Sequence, residues 1–418
     1  MKGIEGYDVK IFTDNVEDSA MEQIARLLSI DVFSDKKLRI MPDVHAGAGC
    51  VIGFTGNLGD KVIPNIVGVD IGCGMRVLNL GNVVEIDFHA FNEHIRGNVP
   101  SGKIVREDRF GFRPLVGEEM EIYREAKRLV TELYCYRELK FTDRINKSIG
   151  SLGGGNHFIE LDRDDKGDVY LVIHTGSRNL GKQVAEIYQA KAVKHLTDGA
   201  DDFEESIKHT IEEYKAAGRR SELQEVIKRM RKEYHAAEPS LPADLCYLEC
   251  EGRERYLHDM RLCQRWAVLN RKLISLLLLK FFPGVEIMEE FESVHNYISD
   301  DNVIRKGAIS AAISERCIIP LNMRDGSLIC VGKGNADWNS SAPHGAGRVM
   351  SRIQAYREVT MEDFEASMEG IYSECITDFT RDESPMVYKP ATEIVSNISD
   401  TVTIATTIRP IFNFKATK

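Results

Sequence analysis

Short runs of Val and Ile, separated by glycine-containing turns, fill residues 38–80. Apolar runs bounded by turn residues are typical of β-strands. The same texture returns in residues 148–182, where IGSLGGGNHFIEL is followed by VYLVIHTGSRNLG, and again from 286 to 350. The pattern therefore predicts a β-rich core that is assembled from three separated stretches of the chain.

Between about 183 and 280 the pattern changes to long periodic stretches rich in Ala, Glu, Lys, Arg and Leu. Apolar residues that recur at helical spacing predict helices in this region. We therefore predict an α+β protein in which one compact unit with a sheet-based core covers residues 1–418. A largely helical insertion is expected at about 183–280, and no simple layered superfold is implied.

Composition narrows the class of protein only a little. Hydrophobic residues make up 43% and charged residues 28% of the 418 residues, which is ordinary for a globular chain. No apolar run approaches the roughly 20 residues of a membrane span, and the N-terminal MKGIEGYDVK lacks the apolar stretch of a secretory signal. The nine cysteines are odd in number and irregularly spaced, which argues against a disulfide framework. We expect a cytoplasmic protein.

The net charge of −11 argues against a protein that coats nucleic acid non-specifically. A local basic channel would still suffice for an RNA substrate. Lys103, Arg106, Arg109 and Arg113 form one candidate cluster, in a stretch that also contains glycine.

Five residues suggest a metal centre. Asp70 and Cys73 lie in VDIGCGMR, and a carboxylate beside a thiolate suits a borderline divalent ion. A cysteine between glycines is more often a packed core residue. However, His157, His174 and His295 each lie at one end of an apolar strand-like run, where functional side chains often occur. Together the five favour a metal centre over separate core residues.

His344 lies on a glycine-containing loop in PHGAGRVMSR. An imidazole in this position suits a general base, a metal ligand or a nucleophile. The backbone amides that follow, together with Arg348 and Arg352, could receive phosphate oxygens. The spacing matches neither the P-loop nor the dinucleotide fingerprint. A helix start with a capping turn explains this segment equally well when it is considered alone.

Asp43 and His45 lie in MPDVHAGAG, before a further pair of glycines. A carboxylate often orients an imidazole by accepting its ring N–H. An aspartate that closes a local turn is an equally good interpretation of this segment by itself. The sequence leaves open which imidazole Asp43 orients.

These segments resemble, in their order, the RtcB family of RNA-splicing ligases. The resemblance runs from near residue 38 to the end of the chain, through MPDVHAGAG, VGVDIGCGMR, GSLGGGNHFIEL, HTGSRNLG, YLHDM followed by NR, HNYI, RKGAISA, PHGAGRVMSR and PIFNFKA. It implies an RtcB-like catalytic domain over residues 1–418 that uses GTP and two Mn²⁺ ions. Such an enzyme joins RNA 3′-phosphate or 2′,3′-cyclic phosphate ends to 5′-hydroxyl ends through a guanylylated histidine, in tRNA splicing or RNA repair.

The resemblance also implies a set of metal ligands. Cys73 is expected to bridge the two Mn²⁺ ions. Asp70 and His157 complete the protein ligands of one ion, and His174 and His295 those of the other.

By the same resemblance, His344 is the guanylylated histidine and Asp43 is the carboxylate that orients it. Contacts with GTP or GMP are expected from Asn156, Phe158, Glu160, Asn296, Pro320, Asn322, Met323, Ser327, Gly345, Ala346, Gly347 and Lys415. Arg348 and Arg352 are expected to bind phosphate or RNA. The family also suggests an archease-like or release-factor-like partner.

One segment departs from the family pattern. The chain reads PLNMRDGS from Pro320 to Ser327, where the family usually has PGSMG. Leu321 and Arg324 replace glycines and restrict the backbone, whereas Asn322 can replace a serine hydrogen bond. We interpret the chain as a divergent branch, one with a different RNA substrate such as a damage-nicked RNA.

Two other functions remain compatible with these residues. Clustered His, Asp and Cys ligands also suit a Mn²⁺ or Zn²⁺ phosphoesterase, which would form no covalent nucleotide. A non-catalytic RNA-binding protein that kept the fold is the second. A complete set of metal ligands argues against it, because a binding module has no need of a bridging thiolate.

Overall fold

The protein is described by a computed structural model that covers residues 2–107, 111–197, 200–233 and 239–417, so Arg109 lies outside the described residues. In these ranges the α-helices are Asp18–Leu28 (α1), Pro64–Val67 (α2), Phe88–Asn98 (α3), Glu118–Thr131 (α4), Thr142–Lys147 (α5), Arg178–His195 (α6), Ala200–Ala216 (α7), Leu223–Glu233 (α8), Cys250–Leu279 (α9), Arg352–Glu358 (α10), Met361–Ser367 (α11) and Ala391–Asn397 (α12).

The strands in the same ranges are Lys2–Gly3 (β1), Val9–Ile11 (β2), Leu38–His45 (β3), Ile52–Asn57 (β4), Lys61–Val62 (β5), Gly74–Asn79 (β6), Phe158–Arg163 (β7), Val169–Thr175 (β8), Leu248–Glu249 (β9), Glu289–Val294 (β10), Asn296–Ile298 (β11), Val303–Lys306 (β12), Ala308–Ser310 (β13), Arg316–Asn322 (β14), Gly326–Gly332 (β15), Ser341–Pro343 (β16) and Val402–Lys415 (β17).

Most of these strands belong to two sheets, in which some neighbouring strands are far apart in the sequence. One has the strand order β1-β2-β3-β4-β12-β11, and the other has the order β10-β6-β8-β7-β17-β15-β14. Strands β2 and β3 pair in parallel, whereas the other neighbours in both sheets pair antiparallel. Two short pairs, β13-β16 and β5-β9, complete the sheet structure of the described residues. Sequence-distant stretches thus form common sheets, as the pattern predicts.

The register of the second sheet places four strand ends side by side. Gly74 at the start of β6 pairs with Val294 at the end of β10 and with Thr175 at the end of β8. His174 on β8 pairs with Phe158 at the start of β7. Because neighbouring strands run antiparallel, these starts and ends lie at one edge of the sheet. Residues next to these ends are therefore brought together.

Helices occupy the region where the sequence predicts them, although the first one, α6, begins earlier than expected, at Arg178. Helix α9 has 30 residues and buries apolar side chains such as Tyr256, Met260 and Trp266 along one side. It packs against α4, α6 and β8. No helix in the described ranges is long and apolar enough to cross a membrane.

One main hydrophobic cluster joins these layers. It contains Ile40 and Phe54 from the first sheet, Ile173 from the second sheet, and Trp266 and Ile274 from α9. The free energy gained by burying this apolar surface holds the sheets and helices together. The predicted α+β class with a sheet-based core is confirmed.

Candidate metal centre and nucleotide cavity

Cys73, His174 and His295 meet at the shared edge of the second sheet. The Sγ atom of Cys73 lies 3.4 Å from Nε2 of His174, and that nitrogen lies 3.4 Å from Nε2 of His295. All three side chains are buried, and their possible ligand atoms lie within 4.8 Å of one another. The group has the donor types and the spacing of a metal site.

Asp70, Cys73 and His157 form a second group of the same kind, which shares the cysteine sulfur with the first. Nε2 of His157 lies 3.0 Å from Oδ2 of Asp70 and 3.5 Å from Sγ of Cys73. The structure therefore brings together all five predicted ligands, with Cys73 common to both groups. One sulfur, one carboxylate and three imidazoles suit a pair of borderline divalent ions.

The protonation of these groups also fits bound cations. Burial lowers the pKa of His174 and His295 well below the usual value, which keeps both rings in the neutral form that metals bind. Burial raises the pKa of the Cys73 thiol well above its usual value, and the negative charge of Asp70 raises it further. A thiolate in this position therefore requires a neighbouring cation.

Two residues outside the ligand groups control the ring nitrogens. The Nδ1–H of His174 donates to the carbonyl of Asn156 at 3.1 Å, so that Nε2 keeps its lone pair toward Cys73. Arg178, in contrast, donates from Nη1 to Nδ1 of His157 at 3.2 Å. That contact places the proton of His157 on Nε2, which faces Asp70. A cation bound through Nε2 would require this proton to move to Nδ1, and Arg178 would then have to turn away from that nitrogen.

Helix α9 anchors the ligand-bearing loops through two adjacent buried residues. Arg271 donates from Nη1 to the carbonyls of Gly72 at 2.9 Å and Thr175 at 2.8 Å, and from Nη2 to Glu292 at 2.8 Å. Gly72 precedes Cys73, Thr175 follows His174, and Glu292 lies on the strand before His295. A single guanidinium thus connects three ligand-bearing segments.

Asn270, next to Arg271, holds the glycine-rich loop that leads to His157. Its Oδ1 accepts from the backbone amides of Gly150 and Ser151, and its Nδ2 donates to the carbonyls of Ser151 and Gly176. Asn270 is completely buried, so these bonds form without competition from water.

His344 adjoins the metal-ligand groups. Its ring centroid lies 4.9 Å from that of His295. Its Nδ1 lies 2.6 Å from Oδ2 of Asp43, which also accepts from the His344 backbone amide at 3.1 Å. Since a carboxylate accepts, Nδ1 carries the proton and Nε2 has the free lone pair. Of the candidate imidazoles, His344 is thus the one whose ring contacts the Asp43 carboxylate.

Two glycines permit the close packing of these loops. Gly347 has a φ of +76°, and a Cβ atom there would lie 2.5 Å from the carbonyl oxygen of Asp43. A Cβ atom at Gly176 would lie 2.3 Å from Oδ1 of Asp70. A larger residue would displace the backbone of Asp43 at the first position and the carboxylate of Asp70 at the second.

A cavity of about 680 Å³ opens in front of His344 and the ligand groups. This volume lies within the usual range for a nucleotide-sized ligand. The cavity is lined by Asp70, Cys73, His174 and His295, and by these residues of the predicted nucleotide and phosphate set: Asn156, Phe158, Glu160, Asn296, Pro320, Asn322, Met323, Gly345, Ala346, Gly347, Arg348, Arg352 and Lys415.

Ser327 is the member of the predicted nucleotide set that does not line this cavity. Its side chain is completely buried in β15, and its hydroxyl has no hydrogen-bond partner in the described part of the chain. Asn322 does line the cavity, but Oδ1 accepts from the amides of Arg324 and Asp325, and Nδ2 donates to Asp325 at 2.8 Å. The asparagine therefore closes the β14–β15 turn and retains one N–H for a ligand.

The cavity wall includes a cluster of charged residues around the buried carboxylate of Glu383. Lys415 Nζ lies 3.2 Å from Oε2 of Glu383, and Arg352 Nη1 lies 2.9 Å from Oε1. Burial would raise the pKa of Glu383, but Lys415, Arg352 and Arg348 outweigh it and hold the value at about 2. Glu383 is therefore ionised and fixes the three cations at the cavity wall.

Glu160, in contrast, is not paired with a guanidinium from the described part of the chain. Its Oε1 accepts from Asn413 Nδ2 at 2.5 Å. Burial raises the pKa of Glu160 to about 7, against the opposing effects of Asn413 and Lys415. A ligand that donates N–H groups would favour the ionised form.

The basic cluster near residue 103 has mainly structural partners. Arg106 donates to the carbonyls of Asn98 and Arg113, and Arg113 pairs with Glu119 at 2.5 Å. Lys103 is exposed. Arg106 and Arg113 are thus fixed within the fold, whereas Lys103 lies at the surface.

The sequence alone does not indicate a role for some residues of the site. His45 lies in a quoted motif and lines the cavity. Arg178 and Arg271 also lie in quoted motifs, but their partners are distant in sequence. Glu383 lies outside every motif, and its long-range ion pairs alone identify it.

Comparison with known proteins covers nearly the whole chain. The family model described as "tRNA-splicing ligase RtcB" matches residues 22–416. The RNA-splicing ligase RtcB of Escherichia coli strain K12 is 30% identical over 442 residues, which cover 97% of each chain. The tRNA-splicing ligase RtcB of Archaeoglobus fulgidus is 26% identical over 459 residues, which cover 91% of this chain and 87% of the relative.

Proposed function

Because the chain belongs to the RtcB family of RNA-splicing ligases, we propose that it is a GTP- and Mn²⁺-dependent RNA ligase. It joins RNA 3′-phosphate or 2′,3′-cyclic phosphate ends to 5′-hydroxyl ends, in tRNA splicing or RNA repair. The observation that carries this proposal is the position of His344, whose ring lies 4.9 Å from that of His295 at the wall of the cavity. A carboxylate-oriented imidazole beside two candidate metal groups suits nucleotidyl transfer.

The five ligands would hold two divalent ions. Asp70, Cys73 and His157 would bind one, and Cys73, His174 and His295 the other. Manganese ions bound there would offset negative charge on phosphate oxygens during transfer. The donor set supports this assignment because it combines the soft sulfur with borderline and hard ligands.

His344 would act as the nucleophile. Asp43 accepts a hydrogen bond from the Nδ1–H group of His344. The lone pair of Nε2 is therefore free to attack the α-phosphorus of GTP, and pyrophosphate leaves. The guanylyl group then passes from His344 to an RNA 3′-phosphate. The 5′-hydroxyl of the second RNA attacks this activated phosphorus, and GMP leaves. A 2′,3′-cyclic phosphate end would first be opened to the 3′-phosphate in the same cavity.

Nucleotide contacts would come from the predicted residues at the cavity wall. Asn156, Phe158, Glu160 and Lys415 line the cavity together with the His344 loop from Gly345 to Gly347. Carboxylate oxygens at Glu160 suit the N–H groups of a purine base. Arg348 and Arg352 would supply positive charge for phosphate or RNA, although both are already paired with Glu383.

We propose an RNA substrate with broken or spliced ends, and an archease-like or release-factor-like protein as a partner. A cytoplasmic location fits a site that needs a reduced cysteine. All nine cysteines are free of disulfides.

The proposal is tested with an RNA whose 3′-phosphate is radiolabelled, mixed with a 5′-hydroxyl RNA, GTP and Mn²⁺. A ligase moves the label into an internal phosphodiester, where a phosphatase cannot remove it. A metal-dependent phosphoesterase, which the same ligand groups would also suit, releases the label as inorganic phosphate. Release without sealing would favour the phosphoesterase and contradict the ligase.

A further inference from the structure

Asp43 contacts a second imidazole besides that of His344. Its backbone carbonyl lies 2.9 Å from Nδ1 of His45, two residues further along β3. A carbonyl oxygen only accepts, so Nδ1 of His45 is the protonated nitrogen. Nε2 is then the basic atom of this ring. One residue thus fixes the tautomers of two histidines, through its side chain for His344 and through its backbone for His45.

His45 lines the same cavity as His344 and the ligand groups, and it is partly exposed there. Burial lowers the pKa of His45, and the neighbouring His344 lowers it further. The carbonyl and carboxylate of Asp43 and the carboxylate of Glu17 act in the opposite direction but do not outweigh burial. The ring is therefore neutral near pH 7 and able to accept a proton.

The other imidazoles of the site, inside and beside the cavity, have different tasks in the proposed reaction. Nε2 atoms of His157, His174 and His295 converge on the two metal groups, and Nε2 of His344 forms the bond to the nucleotide. Among the cavity-lining residues of the described chain, this leaves His45 as the histidine without a task. The sealing step needs a proton acceptor, because the RNA 5′-hydroxyl loses its proton as it attacks.

We propose that His45 is the general base of the sealing step, an inference that rests on the proposed ligase function. The 5′-oxygen forms a bond to the phosphorus of the activated 3′-phosphate while its proton passes to Nε2 of His45. The bond from that phosphorus to the GMP oxygen breaks, and GMP leaves with the electron pair. The His45 proton then returns to water.

The variant His45→Gln tests this role, because its amide can still donate to the Asp43 carbonyl but cannot take up a proton. Two steps are measured separately with the full chain and Mn²⁺: transfer of GMP from GTP to His344, and sealing of an RNA whose 3′-phosphate already carries GMP. Transfer to His344 should stay within about 3-fold of wild type, whereas sealing should fall by about 10²- to 10⁴-fold. His89→Gln, at an exposed histidine outside the cavity, should change neither step.

The pH profile separates a base from a merely structural residue. Sealing by the wild type should decline at acidic pH as His45 becomes protonated, and this decline should be absent in the residual activity of His45→Gln. Free imidazole should partly restore sealing in His45→Ala. A sealing rate of His45→Gln equal to that of wild type, or an equal loss of both steps in this variant, would overturn the role of His45. Failure of the wild type to label His344 would instead contradict the proposed function.

Discussion

Nδ1 of His344 lies 2.6 Å from Oδ2 of Asp43, although 301 positions separate the two residues in the sequence. Asp43 is completely buried, and its Oδ1 has no hydrogen-bond partner within the described ranges. The orienting bond to the His344 loop is therefore the main interaction of this carboxylate. Asp43 has the position of a residue that fixes an imidazole for attack.

We predict that Asp43→Ala lowers the rate of His344 guanylylation by about 10- to 100-fold, the usual range for removal of an orienting partner. Metal content should not change, because Asp43 belongs to neither ligand group. Label incorporation from GTP and metal analysis are measured on the same sample. Asp35→Asn, at an exposed carboxylate, is the control. A guanylylation rate equal to that of wild type would show that the bond has no role in the reaction.

Cys73 belongs to both ligand groups, so its loss should affect both ions. We predict that Cys73→Ala binds less than one Mn²⁺ per chain under conditions in which wild type binds two, and that it fails to guanylylate. Titration with Mn²⁺, followed by electron paramagnetic resonance, measures the bound ions. Cys250→Ser is the matched control because Cys250 is exposed. Two ions bound by Cys73→Ala would refute the bridging role.

Arg271 contacts segments that carry three ligands, and it is completely buried. Lysine keeps the charge but cannot reproduce the fork of donors. We predict that Arg271→Lys weakens Mn²⁺ binding by about 10- to 100-fold. The affinity is measured on protein that circular dichroism shows to be folded, so that lower stability alone does not explain the loss. Unchanged affinity in the folded variant would limit Arg271 to a general structural role.

The two buried histidines predict a pH effect on the metal-free protein. Burial lowers the pKa of His174 and His295 in the folded state, whereas the unfolded chain takes up protons near pH 6.5. The stability that their neutral forms contribute is therefore present above about pH 6.5 and is lost as the pH falls below it.

Urea unfolding of wild type and of the double variant His174→Gln, His295→Gln measures this contribution. The difference in free energy of unfolding, wild type minus variant, should decrease from pH 7.5 to pH 5.5. Taking the difference removes the effect of other buried groups, such as Glu160. A difference that rises or stays constant over this range would contradict the buried neutral state of the two rings.

The sequence singles out the candidate metal ligands because four of the five lie in short motifs next to a strand end. Cys73 precedes β6, His157 precedes β7, His174 lies near the end of β8 and His295 follows β10. Antiparallel pairing of these strands then brings the four residues to one edge. The motif order alone does not reveal this pairing, which depends on long-range contacts.

Other features follow from tertiary contacts that leave no local pattern. Glu383 has three cationic neighbours, of which Lys415 lies at the end of β17. Helix α6 starts at Arg178, within a motif that resembles a loop, and Arg178 itself has a φ of +56°. Ser327 fits the family motif by position, but the register of β15 turns it into the interior.

The covalent nucleotide is the central claim, and labelling tests it most directly. The full chain is incubated with Mn²⁺ and GTP labelled at the α-phosphate, and the labelled peptide is identified by mass spectrometry. We predict an acid-labile guanylyl group on His344 that is absent from His344→Ala. No covalent label under conditions in which both ions are bound, or a label on a residue other than His344, would contradict the account.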